Sequence, residues 1–299
     1  MIAYARGHRV HELLQRAVSA QVAHDAQPLR VSSLAGFGMG PLDYYALVDP
    51  ILESSIDGLV IGFNLGSLSA PWRALFTRSP LLALVAPHRL PEAVRLSLPA
   101  YGVRADELLL GVTIEQLGLR QEWNALTGRR VRASLARSAL EDWIAGHDQG
   151  PERRLEALRR NHKRQRDRNG TRYSVQGALA NHAEVMGGIE ADNPTLALFH
   201  AALRRFRAAH LPVVVYTVPV NVEYLERIGV LDEEGLDRTL ASLRWVTQDA
   251  GAVFVDGTRL FGDEEFRDAG GHFKSADRLV ELLAPRVVTA VRDAARGDD

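Results

Sequence analysis

Two residues of this chain have types and spacing suited to proton transfer. Asp268 and His272 lie four positions apart in Phe266-Arg-Asp-Ala-Gly-Gly-His-Phe273, between the apolar run Ala252–Val255 and the amphipathic stretch Ala276–Val291. A carboxylate that orients an imidazole, which then takes a proton from a hydroxyl, is how hydrolytic α/β enzymes make a nucleophile. The plainer reading is a loop histidine turned to solvent. Asn64 ends another apolar run as Gly62-Phe63-Asn64, and Val218-Pro-Val-Asn221 ends a third. An asparagine at such a point commonly just turns or caps the chain, and Pro219 stops further ladder pairing.

Positioning these residues requires a scaffold, and the pattern predicts one. Apolar residues at Val10, Leu13, Leu14, Ala17, Val18 and Val22 recur at helical spacing within residues 8–24. A short strand is expected at Arg30–Leu34, then the glycine-rich turn Ala35-Gly-Phe-Gly-Met-Gly-Pro41, then one helix over Leu42–Ser54. Asp57–Phe63 has the continuous apolar run of a strand covered on both faces. Residues 70–190 differ: Pro71, Pro80, Pro87, Pro91 and Pro99 interrupt short helical patterns, so a helical insertion is expected there. Alternation then resumes with a helix at Thr195–His210, a strand at Pro212–Val218, a helix at Glu233–Ala250 and a strand at Ala252–Val255. The helix Ala276–Val291 closes the pattern. Such alternation implies an α/β fold in a single domain, with a parallel sheet and helices on both faces. Ligands bind beyond the carboxyl ends of such strands, where Asn64, the Pro219–Asn221 segment and the Asp268/His272 loop all lie.

The Gly62-Phe63-Asn64 block, the glycine turn and the aromatic-x-Asp…Gly-His-aromatic block together resemble the SGNH (GDSL-like) hydrolase family. Pro219-Val-Asn221, with Tyr224 after it, is similar to its branch of D-alanyl-transfer proteins. The resemblance is best over residues 195–291 and extends over 29–70. It implies a three-layer α/β/α, flavodoxin-like sheet of strand order 2-1-3-4-5 and an acyl-enzyme mechanism without a cofactor. It makes His272 the general base, Asp268 its orienting carboxylate, and the Asn64 amide and the Gly38 N–H the oxyanion donors; Gly36 competes with Gly38 for that place. Two departures stand out: the family spacing is Asp-x-x-His, and Asp often follows the asparagine where this chain has Leu65. The family serine ends a first strand. Here the first helix begins near Met1, and Ala3 falls near the serine's place. Three readings stay open: an upstream strand and serine, a serine-less binding protein, or catalysis by Ser32, Ser33 or Ser67.

Composition narrows the classes. With 46% apolar and 24% charged residues, the 299-residue chain has the balance of a soluble domain. A net charge of −1 gives no general attraction to nucleic acid. The absence of cysteine excludes thiolate catalysis and disulfides. No apolar run reaches the ~18–20 residues of a membrane span, and the N-terminus lacks a signal-peptide pattern, so a cytoplasmic protein is expected. The stretch Arg153–Arg172 reads as a solvated helix face, with a phosphate-bearing partner as the alternative. No spacing suggests a metal site. The expected function is an esterase or O-acyltransferase acting on a small-molecule or glycan ester. The alternative is an inactive relative that binds a carbohydrate or an acyl carrier.

Overall fold

The computed structural model describes residues 10–21, 31, 40–69, 84–101, 182, 184–267 and 272–297. Three β-branched runs build its sheet: β1 (Leu59–Phe63), β2 (Val213–Thr217) and β3 (Val253–Val255). All pair in parallel in the order β1-β2-β3, with Ile61 opposite Val215 and Tyr216 opposite Val255. Every residue of central β2 is buried, as a strand covered on both faces requires.

The described helices are α1 (Val10–Gln21), α2 (Pro41–Ala46), α3 (Val48–Leu52), α4 (Leu90–Tyr101), α5 (Pro194–Ala208), α6 (Val222–Arg227), α7 (Glu233–Asp249) and α8 (Asp277–Gly297). Alternation along the strands sorts them into two layers. Ile61, Phe63, Val213 and Val215 pack with Tyr45 of α2, Ala93 of α4, Phe199 of α5 and Leu240 of α7. Val214, Tyr216 and Val255 face the other way, into a cluster with Leu14 of α1 and Leu283 of α8. The α/β expectation thus holds among the described residues, with helices on both faces of a parallel sheet.

The largest changes of extent are in two helices. The helix expected over Leu42–Ser54 is split at Leu47 into α2 and α3. Pro50 is the cause: its ring collides with the carbonyl four residues earlier, at Ala46, where α2 ends. The last helix runs past Val291 to Gly297 and keeps Pro285 inside it. Pro285 is on the exposed side, so the carbonyl its missing N–H leaves without a helix bond is open to solvation. Of the strand expected at Arg30–Leu34 only Val31 is described, and Gly36, Gly38, Ala3, Asp268 and the Arg153–Arg172 stretch lie outside the described residues.

From the expected insertion, α4 is secured by a mixed polar and aromatic contact. The Tyr45 hydroxyl donates to Glu92 at 2.7 Å, Arg205 pairs with the same carboxylate, and its guanidinium lies 5.6 Å over the Tyr45 ring. Burial pushes the Glu92 carboxyl up, but the hydrogen bonds from Tyr45 and Arg205 outweigh it and leave the group below its usual value. Farther on, residues 185–189 dock on α7 through Thr239, which is fully buried. Its hydroxyl donates to the Val185 carbonyl at 2.7 Å and accepts from the Ile189 N–H at 2.9 Å.

β1 and β2 also meet through Gly62. A Cβ there would lie 2.6 Å from the Tyr216 hydroxyl, so the missing side chain lets that ring lie across β1. Burial raises the Tyr216 phenol to about 12. On the other face the Tyr44 hydroxyl donates to the Gly62 carbonyl at 2.9 Å.

Candidate functional site at the carboxyl edge of the sheet

Asn64 is the first residue past β1. Its side-chain oxygen accepts the Gly66 N–H at 2.9 Å and caps the 3-10 turn Leu65–Leu68, while its carbonyl accepts from the Ser67 N–H at 2.9 Å. The plain capping role is therefore real, but it uses only the oxygens. The amide nitrogen has no partner among the described residues. A carboxamide pinned by its oxygen has a fixed plane, so this free donor is already oriented.

Ser67 is next to it and is only 3% exposed, with no hydrogen-bond partner for its hydroxyl among the described residues. Burial of this degree seals it from a substrate and leaves it unsuited to attack. Ser32 and Ser33 lie outside the described residues.

At the ends of β2 and β3 is a polar knot that the sequence reading missed. The Thr217 hydroxyl donates to Asp256 at 3.2 Å and accepts from the Gly257 N–H at 2.8 Å and the Thr258 hydroxyl at 2.9 Å. Asp256 also accepts the Thr258 N–H at 3.0 Å. The only sequence signal was Asp256-Gly-Thr258 right after a strand, an Asx-turn pattern. The knot ties the carboxyl ends of the two strands together and starts the loop toward His272.

That loop is held at several points. Gly262 N–H donates to Glu265 at 3.0 Å around the turn Asp263–Glu265. Phe266 and Phe273 form an antiparallel bridge, the Arg267 N–H donates to the His272 carbonyl at 2.7 Å, and the Lys274 N–H donates to the Glu265 carbonyl at 2.7 Å. Phe273 is buried against Phe261, with ring centres 5.1 Å apart. These contacts fix the main chain at His272, which is half-buried. Its expected partner Asp268 lies outside the described residues. Strands sit ~4.8 Å apart, so the ends of β1 and β3 are about 10 Å from each other across β2. Asn64 and the loop bearing His272 therefore leave the same edge of the sheet.

Asn221, at the same edge, is not available to a ligand. It is 4% exposed, its oxygen accepts the Tyr224 N–H at 3.1 Å, and its nitrogen donates to Asp263 at 2.8 Å. Arg227, paired with Asp263 at 2.7 Å, and then Asn221 hold the Asp263 carboxyl below its ordinary value. The Gly262 N–H, followed by Arg278, does the same for Glu265. Groups whose folded pKa is depressed add stability above the unfolded value, and this is lost as pH falls through the lower folded value. Hydrogen-exchange protection at the Arg267 and Lys274 amides is therefore expected to be full above about pH 4 and to fall below it. Unchanged protection down to pH 2 would contradict this account of the loop.

A cavity of about 300 Å³ opens at the opposite edge, where Arg207, His210, Pro212 and Ala252 surround the amino ends of β2 and β3. Among the described residues no cluster of three or more His, Asp or Glu side chains is arranged to hold a metal, and no described helix is long and apolar enough to cross a membrane. No family model, curated protein or solved structure matches the chain.

Proposed function

We propose that this chain acts on acyl–oxygen bonds, as an esterase or O-acyltransferase, at the carboxyl edge of its sheet. The observation that supports this most is Asn64, whose carboxamide oxygen is tied to the Gly66 N–H while its nitrogen is left to donate. In this reading a serine hydroxyl attacks the substrate carbonyl carbon as its proton passes to the His272 imidazole, which Asp268 orients. The carbonyl oxygen becomes an oxyanion that accepts from Asn64 Nδ2 and the Gly38 N–H. Collapse breaks the bond to the leaving alcohol, which takes the proton from His272. Water or an acceptor alcohol then repeats the sequence on the acyl-enzyme. Ser67 is too deeply buried for the attacking role, so the hydroxyl belongs to another serine.

A fluorophosphonate probe followed by peptide mapping tests the reading, because only an activated serine reacts. One serine other than Ser67 is expected to be labelled, and His272→Ala is expected to abolish the labelling. Labelling that persists in that variant would remove His272 from the scheme. Absence of labelling in the wild-type chain would favour an inactive binding protein for a glycan or acyl carrier. The sealing of Ser67, the one described candidate among the three serines, already favours that second reading.

A further inference from the structure

Past the end of β2, one buried amide reaches the turn that leads to His272. Asn221 follows Val218-Pro-Val, a segment already tied to both neighbouring strand ends. The Val218 N–H donates to the Phe63 carbonyl at 2.9 Å, and the Val220 N–H to the Thr258 carbonyl at 3.0 Å. From this anchored position both ends of the Asn221 carboxamide are used, the oxygen inward to the first turn of α6 and the nitrogen outward to Asp263.

Asp263 is in turn held from three sides. Its other carboxylate oxygen takes the Arg227 guanidinium, and its own N–H donates to Glu223 at 2.8 Å. Asp263 opens the short turn whose last residue, Glu265, accepts the Lys274 N–H and pairs with Arg278 of α8 at 2.8 Å. Only the Phe266–Phe273 bridge separates this turn from His272. A buried amide with both ends committed cannot bind substrate; its one route to the site is through the loop it grips.

We propose that Asn221 is a positioning residue that locks the His272-bearing loop to the end of β2, by its bond to Asp263. The inference rests on the acyl-transfer reading only for its effect on turnover; the lock itself is a property of the fold. Losing it loosens the turn at Asp263, which then keeps only its side-chain partners Arg227 and Glu223, while the sheet stays intact, because β2 is buried throughout and paired on both sides.

Asn221→Asp is the direct test, since it sets two carboxylates facing each other where an amide donated. The swap Asn221→Asp with Asp263→Asn restores one amide and one acid at the same contact. Amide hydrogen exchange by NMR is read at Arg267 and Lys274, with Val214 and Val215 as core references. Turnover of p-nitrophenyl acetate is read alongside.

In Asn221→Asp, exchange at Arg267 and Lys274 is expected to rise about tenfold or more, with the references unchanged. kcat is expected to fall about tenfold at nearly constant KM. The swap is expected to recover both. Asp263→Ala, at a side chain 33% exposed, breaks the same bond from the loop side and the Arg227 pair with it. It is expected to repeat the single-variant result if Asn221→Asp does not fold.

Unchanged exchange in the single variants, no recovery in the swap, or faster exchange with kcat unmoved would each overturn the proposal. If the wild-type chain does not turn over the ester at all, the acyl-transfer reading loses support, and the exchange arm alone then decides whether Asn221 locks the loop.

Discussion

Gly235→Ala is expected to lower the thermal unfolding midpoint by roughly 2–8 °C. Two effects oppose each other at this residue. Gly235 lies in the first turn of α7, where its N–H is capped by Asp232 at 3.0 Å, and alanine in a helix is favoured over glycine by ~0.5–1 kcal/mol. Against that, a Cβ here would lie 2.6 Å from the Met186 carbonyl carbon and closer still to its oxygen. Those are backbone atoms, held in place by the Thr239 bonds to Val185 and Ile189, so no side chain can swing aside. Overpacking of this kind costs ~1–3 kcal/mol and occasionally more. The steric term therefore outweighs the helix gain, and ~2–4 °C per kcal/mol, the value for domains somewhat smaller than this one, converts the difference into the midpoint shift. Calorimetry on the variant checks it; an unchanged or raised midpoint would mean that residues 185–189 do not pack on α7 as described.

The second large effect concerns rate. Asn64→Ala is expected to lower kcat on p-nitrophenyl esters by about 10²–10³, the loss typical of removing one preorganised oxyanion donor. Folding should suffer much less, because the substitution deletes a cap on a single 3-10 turn, worth ~0.5–2 kcal/mol. A drop in kcat with little change in KM and a midpoint only slightly reduced is the signature of a group that acts in the transition state. A variant that loses stability but keeps its rate would return Asn64 to the capping role alone.

The sheet was legible because its strands are short runs of valine and isoleucine. The runs expected at 57–63, 212–218 and 252–255 become Leu59–Phe63, Val213–Thr217 and Val253–Val255. At the trimmed ends the last ladder bonds run from the Leu59 N–H to the Pro212 carbonyl and from the Val218 N–H to the Phe63 carbonyl, and Pro212 and Pro219 have no N–H with which to extend them. The split of the 42–54 helix at Leu47 was available from Pro50, whose effect falls four residues upstream of itself rather than where it stands.

What the sequence hid is what depends on distant partners. Asn221 is adjacent to a strand end and looks like a rim residue, yet its partner Asp263 is 42 positions later. Thr217 and Thr258 read as ordinary strand and loop threonines, and only their meeting makes the knot at the sheet edge. Of the site, the placement of Asn64 and His272 after parallel strands followed from helix–strand alternation. That the Asn64 nitrogen has no partner among the described residues did not, because it depends on which acceptors the fold brings within its reach.

One experiment bears most directly on whether Asn64 and His272 serve a single reaction: a double-mutant cycle of Asn64→Ala and His272→Ala, read as kcat/KM on p-nitrophenyl acetate. Groups that stabilise one transition state are strongly non-additive. Each single variant is expected to lose about 10²-fold or more, and the double variant little more than the worse single one. Full retention of the rate in either single variant, or losses that simply multiply in the double, would show that the two side chains do not meet over a common substrate.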